Sequence, residues 1–407
     1  MKRILSVLLF ATMALFTYAD TFATPIDMQA HVGSDEGRQA YNTYVSKQNS
    51  YYTNNYSYDN ISVTTGDALF GLLNTLMGNT CKLAGSSWTY NSLRNNYVKV
   101  DKDLNLSANI IGYYDGRSMN GTWDSGKTWN REHTWPQSKG ADSGIPMGYD
   151  MQSVRPASTA VNSDRGNTPY GESSSFYDPN VIAINNTKYK DINLGSYRGD
   201  AARVILYDYL VYGKVGSYKN AMYNGNAQLL DKLGKNGVFE NVAIILKWHM
   251  QDPPSLTEMV RNDGAQTYQG NRNPFIDFPE IAVEILGDKV SIYNVTIGNG
   301  LQMWPAYRHT PTTGFISYLT LEDGTHPKAD KLTVTGTDNY TYDETLGRLI
   351  VSKTYKALTI ELTGTETPVD YTAAEHKDAP FYDILGRRVS HMQHGQIYIR
   401  EGKKFMY

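Results

Sequence analysis

The chain has 407 residues, 40% of them hydrophobic and 19% charged, with a formal net charge of −3. That length and composition exclude a disordered protein and predict two domains, or one large domain with an appendage. The near-neutral balance gives no global attraction to polyanions, so a nucleic-acid substrate would need a local basic patch.

The opening MKRILSVLLFATMALFTYAD puts Lys2 and Arg3 before an apolar run from Ile4 to Phe16, with small residues at Thr17 and Ala19. The run is shorter than the roughly 20 residues that span a bilayer, and no later stretch reaches that length. Residues 1–19 therefore read as a cleaved secretory signal, with cleavage at 23 as the alternative. Cys81 is the single cysteine. An exported chain of this kind has no internal disulfide and draws its stability from its core, bound metal or both. Cys81 follows the apolar helix candidate Asp67–Gly78 and reads as a small buried filler.

From about residue 33 to 287, helical segments alternate with loops rich in Tyr and Asn. Gly199–Gly213 (GDAARVILYDYLVYG) predicts a buried helix with Asp200 as N-cap; Asn241–Met250 (NVAIILKWHM) predicts another, stopped by Asp252–Pro254. After Gly287 the texture changes. KVSIYNVTI, GFISYLTLED, KLTVTGTD, RLIVSKTY and ALTIELTG alternate or are β-branched, so residues 288–364 predict a small all-β region, bounded near Gly287–Asp288. A polar linker, 365–380, then leads to a last segment, 381–407. The expected class is α+β.

The chemistry concentrates in Thr128–Ser138 (TWNREHTWPQS). Hydrolysis needs a base for water and an electrophile for the leaving oxygen, and an imidazole with a carboxylate-bound cation supplies both. Glu132 and His133 are neighbours, so on a strand they point to opposite faces. A shared site requires a bend or a strand end, which Pro136 makes plausible. Taken alone, the pair fits a surface strand with a satisfied histidine as well. Asp150–Glu172 (DMQSVRPASTAVNSDRGNTPYGE) adds a short strand around Val154–Pro156, then Asn162, Asp164, Arg165 and Asn167. Asn is an oxygen ligand for hard cations and Arg a bidentate phosphate partner. These are the parts of a metal-dependent phosphodiesterase. No Walker-type loop, GxSxG elbow or CxxC pair occurs, which disfavours nucleotide-triphosphate, serine-hydrolase and redox chemistry.

NREHTWPQS followed by VRPASTAVNSDRGN resembles the bacterial endonuclease I family, secreted or periplasmic nucleases of the ββα-metal superfamily. Two further blocks, Arg198–Tyr212 and Leu246–Glu280 with its QGNRNPFID core, follow in the family's order between about Leu69 and Gly287. The resemblance implies a ββα-metal nuclease core embedded in helices over residues 33–287. It implies a non-specific endonuclease of DNA, often also of RNA, that leaves 5′-phosphate ends. His133 matches the general base, and Glu132 and Asn162 the protein ligands of one divalent cation, Mg²⁺ first, with Mn²⁺ or Ca²⁺ as alternatives. The family's D-L-H-N/H-L run is DMQSV here, so Gln152 and Ser153 replace polar residues that orient the site. The competing reading is a catalytically weak nucleic-acid or surface-glycan binding protein that uses its 32 tyrosines.

Arg155 and Arg165 are candidate phosphate contacts, each equally a structural tie. Arg131 could bind phosphate, but reads rather as turned to solvent or an ion pair, and Trp129 and Trp135 read as packing. Gln152, Asn167, Asn271, Arg272, Asn273 and Asp277 are candidates for orienting the site from behind or holding their own loop. His249 reads as core or cap, and His391 and His394 lack a third metal ligand. Finally, YDILGRRV with GQIYIREGKKF is similar to the C-terminal sorting domains of type IX secretion substrates, although an ordinary terminal hairpin has the same alternation. That resemblance implies the type IX machinery as partner and an extracellular or outer-membrane location, with the periplasm as alternative.

Overall fold

The computed structural model describes residues 35–83, 86–179, 196–212, 234 and 237–363, and four short strands within 381–406. The signal reading at 1–19, the linker at 365–380 and the pair His391 and His394 lie outside the described residues.

The chain enters through helices α1 (Asp35–Tyr51), α2 (Tyr58–Ser62), α3 (Gly66–Thr80) and α4 (Tyr90–Val100). In α3 the residues Leu69, Phe70, Leu73, Leu76 and Met77 are buried, the three-to-four spacing that gives a helix one apolar stripe. Thr89 and Ser92 form a capping box at the start of α4. Strands β1 (Asn109–Ile111) and β2 (Ser118–Asn120) pair antiparallel. Next come β3 (Trp129–His133) and β4 (Val154–Ser158), also antiparallel, and α5 (Thr159–Arg165), which packs on both. This is the ββα order expected from the sequence. Gly166 ends α5 at φ +55°, a conformation that disfavours any side chain.

Helix α6 (Arg198–Tyr212) is buried along nearly its whole length. Asp200 lies inside its first turn and is not a cap; the Gly199 amide instead donates to Asp252 Oδ2, 2.8 Å away. Helix α7 (Val242–Gln251) is capped by Asn241, whose side chain accepts from the Ile244 amide, and stops before Pro253. Helix α8 (Leu256–Gln269) opens with a Ser255–Glu258 capping box. Short helices α9 (Pro274–Asp277) and α10 (Ile281–Leu286) follow.

Eight strands come next: β5 (Ile292–Ile297), β6 (Leu301–Trp304), β7 (His309–Pro311), β8 (Phe315–Leu321), β9 (Leu332–Thr335), β10 (Tyr340–Asp343), β11 (Arg348–Val351) and β12 (Leu358–Leu362). They form two four-stranded sheets, ordered β10-β11-β8-β6 and β7-β5-β12-β9, antiparallel except where β12 meets β5. The change of secondary structure at Gly287 is therefore where the sequence texture puts it, but it is not an edge between compact units. One core cluster joins Phe315, Leu319, Leu349, Val351, Leu358 and Ile360 of the strands to Ile245 and Leu246 of α7 and to Ile281, Val283 and Leu286 of α10. The first compact unit runs to Leu362, and a second begins at Thr363.

In the second unit β13 (Phe381–Asp383), β14 (Arg388–Val389), β15 (Ile397–Arg400) and β16 (Lys403–Met406) form an antiparallel sheet ordered β14-β13-β15-β16. Among the described residues no helix is long and apolar enough to cross a membrane.

Candidate active site

Alternation along β3 sends Asn130 and Glu132 to one face and Trp129, Arg131 and His133 to the other. Helix α5 lies on the first face. Asn162 donates through Nδ2 to Asn130 Oδ1 at 2.6 Å, and one turn later Arg165 Nη1 stands 3.1 Å from Glu132 Oε1. The first bond fixes the Asn162 amide so that its Oδ1 points away from Asn130, as an open acceptor. Tyr114 donates to the same Glu132 Oε1 at 2.8 Å and also bonds Tyr170. Both contacts fall on Oε1, and Oε2 takes neither of them.

Glu132 is 1% exposed, and burial raises its carboxyl above the ordinary range, although Arg165 and then the Tyr114 hydroxyl pull it down. A carboxylate still pushed toward protonation beside an arginine has room for more positive charge. The donor set is hard oxygen, a carboxylate and an amide carbonyl, which suits Mg²⁺, Mn²⁺ or Ca²⁺ and not a soft metal. Among the described residues no group of three or more His, Cys, Asp or Glu could hold a metal.

His133 is the last residue of β3 and is 8% exposed. Its Nε2 lies 3.1 Å from the Gly148 carbonyl oxygen. A carbonyl can only accept, so Nε2 carries the proton and Nδ1 keeps the basic lone pair. The Gln137 amide rests on the ring edge, 3.0 Å from Nε2 and 3.4 Å from Nδ1. Burial first, and the Arg131 charge after it, lower the imidazole from 6.5 to about 4.

The two arginines expected at phosphate are both engaged by protein. Arg165 is 1% exposed, and besides Glu132 it donates to the carbonyls of His133, Thr134 and Gly166. Its guanidinium is enclosed, and it locks α5 to the end of β3. Arg155 stands opposite Glu132 in the strand register, reaches Asp101 Oδ1 at 3.2 Å and lies over the Tyr113 ring. It also lines a cavity of about 50 Å³ together with Asp101, Asp200 and Arg261.

The remaining polar candidates form a buried network that tethers the approach to β4. Asp150 accepts from the Tyr207 and Tyr212 hydroxyls, from Gln269 and from the Gln152 amide. The Gln152 side chain donates to Asn262 Oδ1 at 2.7 Å, and Asn262 bonds Asp277 and the Asn273 backbone. Ser153 donates to Asp208. Arg272 forks onto both Asp277 oxygens at 2.8 Å; Asn271 donates to the Tyr207 hydroxyl, and Asn273 caps α9. None of these side chains has a bond to Glu132, His133 or Asn162. Asn167 is exposed and donates to Ser138 at 3.3 Å. His249 is fully buried with Nε2 on the Pro279 carbonyl, and Trp129 and Trp135 are packed in the core. Cys81 is half-buried and its thiol is pushed up by burial.

Sequence reasoning missed Asn130 and Tyr114. Asn130 was within reach, because a residue two before Glu132 on a strand shares its face. Tyr114 carries no local signal: it sits at φ +77° in a loop and arrives by tertiary packing.

A ββα unit carrying a buried carboxylate, an amide oxygen and a neutral imidazole at a strand end defines a hydrolytic scaffold for phosphodiesters. The sequence model of the Endonuclease I family matches residues 69–280, which contain all of it. An extracellular ribonuclease of Bacillus amyloliquefaciens is 31% identical over 237 residues, 56% of this chain and 77% of that protein. One of Bacillus subtilis (strain 168) is 31% identical over 238 residues, with the same coverage of each. The chain belongs to the endonuclease I family and is a nuclease.

Proposed function

We propose that the protein is a secreted, non-specific endonuclease that hydrolyses phosphodiester bonds of DNA, and of RNA as the names of its relatives suggest, with one divalent cation, Mg²⁺ first. The observation that carries this reading is the meeting of α5 and β3, where Asn162 and Glu132 offer hard oxygens beside His133 at the strand end. Export is supported by the extracellular relatives and by the reading of residues 1–19. Residues 381–407 are read as a sorting segment for type IX secretion.

A bound cation would supply positive charge where the leaving 3′ oxygen becomes negative. Glu132 would provide the negative charge that holds it and Asn162 a neutral oxygen. Tyr114 and Arg165 fix the carboxylate through Oε1. His133, with Nε2–H held on the Gly148 carbonyl, takes a proton from the attacking water at Nδ1, and cleavage leaves a 5′-phosphate and a 3′-hydroxyl. A phosphodiester laid across the end of β3 meets side chains from both faces of the strand.

Supercoiled plasmid incubated with the purified protein and Mg²⁺ is expected to be nicked, and EDTA to stop the nicking. A gel shift without cleavage would instead favour a binding protein. Glu132→Ala is expected to weaken cation affinity and activity together, since Asn162 alone brings no negative charge. Equal titration midpoints for variant and parent would refute the ligand assignment.

The pH response has a definite sign. A depressed imidazole pKa keeps the base form available in mild acid, so the acid limb of kcat/KM is expected below the ordinary histidine value, with protonation of Glu132, whose carboxyl burial raises, contributing to the fall alongside the ring at about 4. A pH–rate profile with its acid limb at the ordinary histidine value would show that the working ring is solvated, against this assignment.

A further inference from the structure

The face of β3 opposite Glu132 carries a stack in which cations and rings alternate. Tyr90 is the first residue of α4, and the Arg131 guanidinium carbon lies 3.5 Å from its ring centroid. Arg131 is also 5.1 Å from the Trp123 centroid, and Arg94 lies 5.4 Å from that same ring. The Tyr90 ring in turn stands 5.4 Å from the His133 imidazole. All four stacked residues, Tyr90, Arg131, Trp123 and Arg94, are partly exposed.

Arg131 is held in place by hydrogen bonds. Its Nη1 donates to the Tyr90 carbonyl at 2.8 Å and reaches Asn91 Oδ1 at 3.4 Å, while its Nε is enclosed without a partner. Among the described residues neither Arg131 nor Arg94 has a carboxylate within ion-pair distance. The neighbouring Asp124 is turned into its own loop, accepting from Thr128 and the Lys127 amide. The contrast with the rest of the region is sharp. Arg165 has Glu132, Arg155 and Arg261 share Asp101, Arg203 has Glu258 and Arg272 has Asp277. A partly desolvated guanidinium that lies over the Tyr90 ring with Trp123 nearby, and has no counter-ion among the described residues, is arranged for an anion that arrives from outside.

We propose that Arg131 and Arg94, positioned by Tyr90 and Trp123, bind phosphates of the substrate strand as it passes His133. This rests on the nuclease reading and deepens it, giving the site its local basic patch and a contact that reads phosphate and not base. Arg131 is partly exposed, and of the two readings its sequence offers, phosphate contact is the one that the stack over Tyr90 favours.

The test is binding of a short fluorescein-labelled DNA single strand in EDTA, followed by anisotropy over a range of salt, with plasmid cleavage in Mg²⁺ measured alongside. Each phosphate contact contributes about 0.7 to the slope of log affinity against log salt for single strands. Arg131→Ala and Arg94→Ala are each expected to flatten the slope by about that amount and to raise KM more than they lower kcat. Arg131→Lys keeps the charge and is expected to restore the slope, but not the affinity given by the planar fork. A purely structural arginine would lower the melting temperature and leave the slope alone. If Arg131→Ala fails to fold, Arg94→Ala, on a partly exposed helix surface, carries the test. Parent that binds and cuts, with unchanged slopes in the folded alanine variants, overturns this inference and leaves the nuclease reading standing. Parent that neither binds nor cuts overturns both. The same slope changes with a sulfated polysaccharide would show a general polyanion surface and overturn the assignment to a nucleic-acid strand.

Discussion

Replacing His133 with alanine is expected to lower turnover by roughly 10²–10⁴, the range that a positioned general base contributes. At 1.36 kcal/mol per factor of ten this is about 2.7–5.4 kcal/mol of transition-state stabilisation. Cation affinity should be unchanged, because Glu132 and Asn162 reach the α5 face of β3 and the imidazole leaves from the other. The fold should survive as well. The ring bonds the Gly148 carbonyl and touches Gln137 and Tyr90, none of which belongs to the buried network around Asp150. Turnover on plasmid, a metal titration and a melting curve together test this. A variant that cuts at close to the parent rate would remove His133 from the mechanism; one that loses cation affinity would show that imidazole and ligands are not separable.

The ββα unit was legible because its signals are local. NREHTWPQS and VRPASTAVNSDRGN are each a short run of neighbours, the resemblance they carry implies strand, strand and helix, and the structure has β3, β4 and α5 there. The supporting groups were not legible in the same way. Tyr114 reaches Glu132 only because a loop in a left-handed conformation is packed against the hairpin. The Gly199 amide is satisfied by Asp252, more than fifty positions away, so a rule that looks for caps beside the helix names Asp200 instead. Gln152 and Ser153 depart from the family's pattern, and each finds a buried partner on α6 or α8. A neighbour's chemistry is readable from spacing; the mating of distant faces is not. Texture at Gly287 is the same case, since it marks where strands begin and says nothing of what their apolar faces bury against.

The second large effect follows from that mating. A chain ending at Gly287 is expected not to fold, although it holds every residue of the proposed site. Strands β8, β11 and β12 place Phe315, Leu319, Leu349, Val351, Leu358 and Ile360, each essentially fully buried, in the same cluster as the apolar sides of α7 and α10. Each such side chain contributes about 1.5–3 kcal/mol, and a domain's whole margin is roughly 5–15 kcal/mol, so the loss of this group alone is comparable to the margin. Polar ties would go too. Glu284 of α10 pairs with Arg308 and His309, and Gln251 donates to the Thr313 carbonyl at 2.6 Å. A chain ending at Leu362 keeps all of these, and it is expected to fold and to cut DNA as the full chain does. In the native host, a chain lacking only Phe381–Tyr407 should remain active but accumulate inside the outer membrane if that segment is the sorting signal. Solubility, a cooperative melting transition and plasmid nicking distinguish the two shorter chains, and fractionation locates the third. Cooperative unfolding and cleavage by the chain ending at Gly287 would show that the helical part carries a sufficient core of its own, and arrival of the third chain at the cell surface would remove the sorting role.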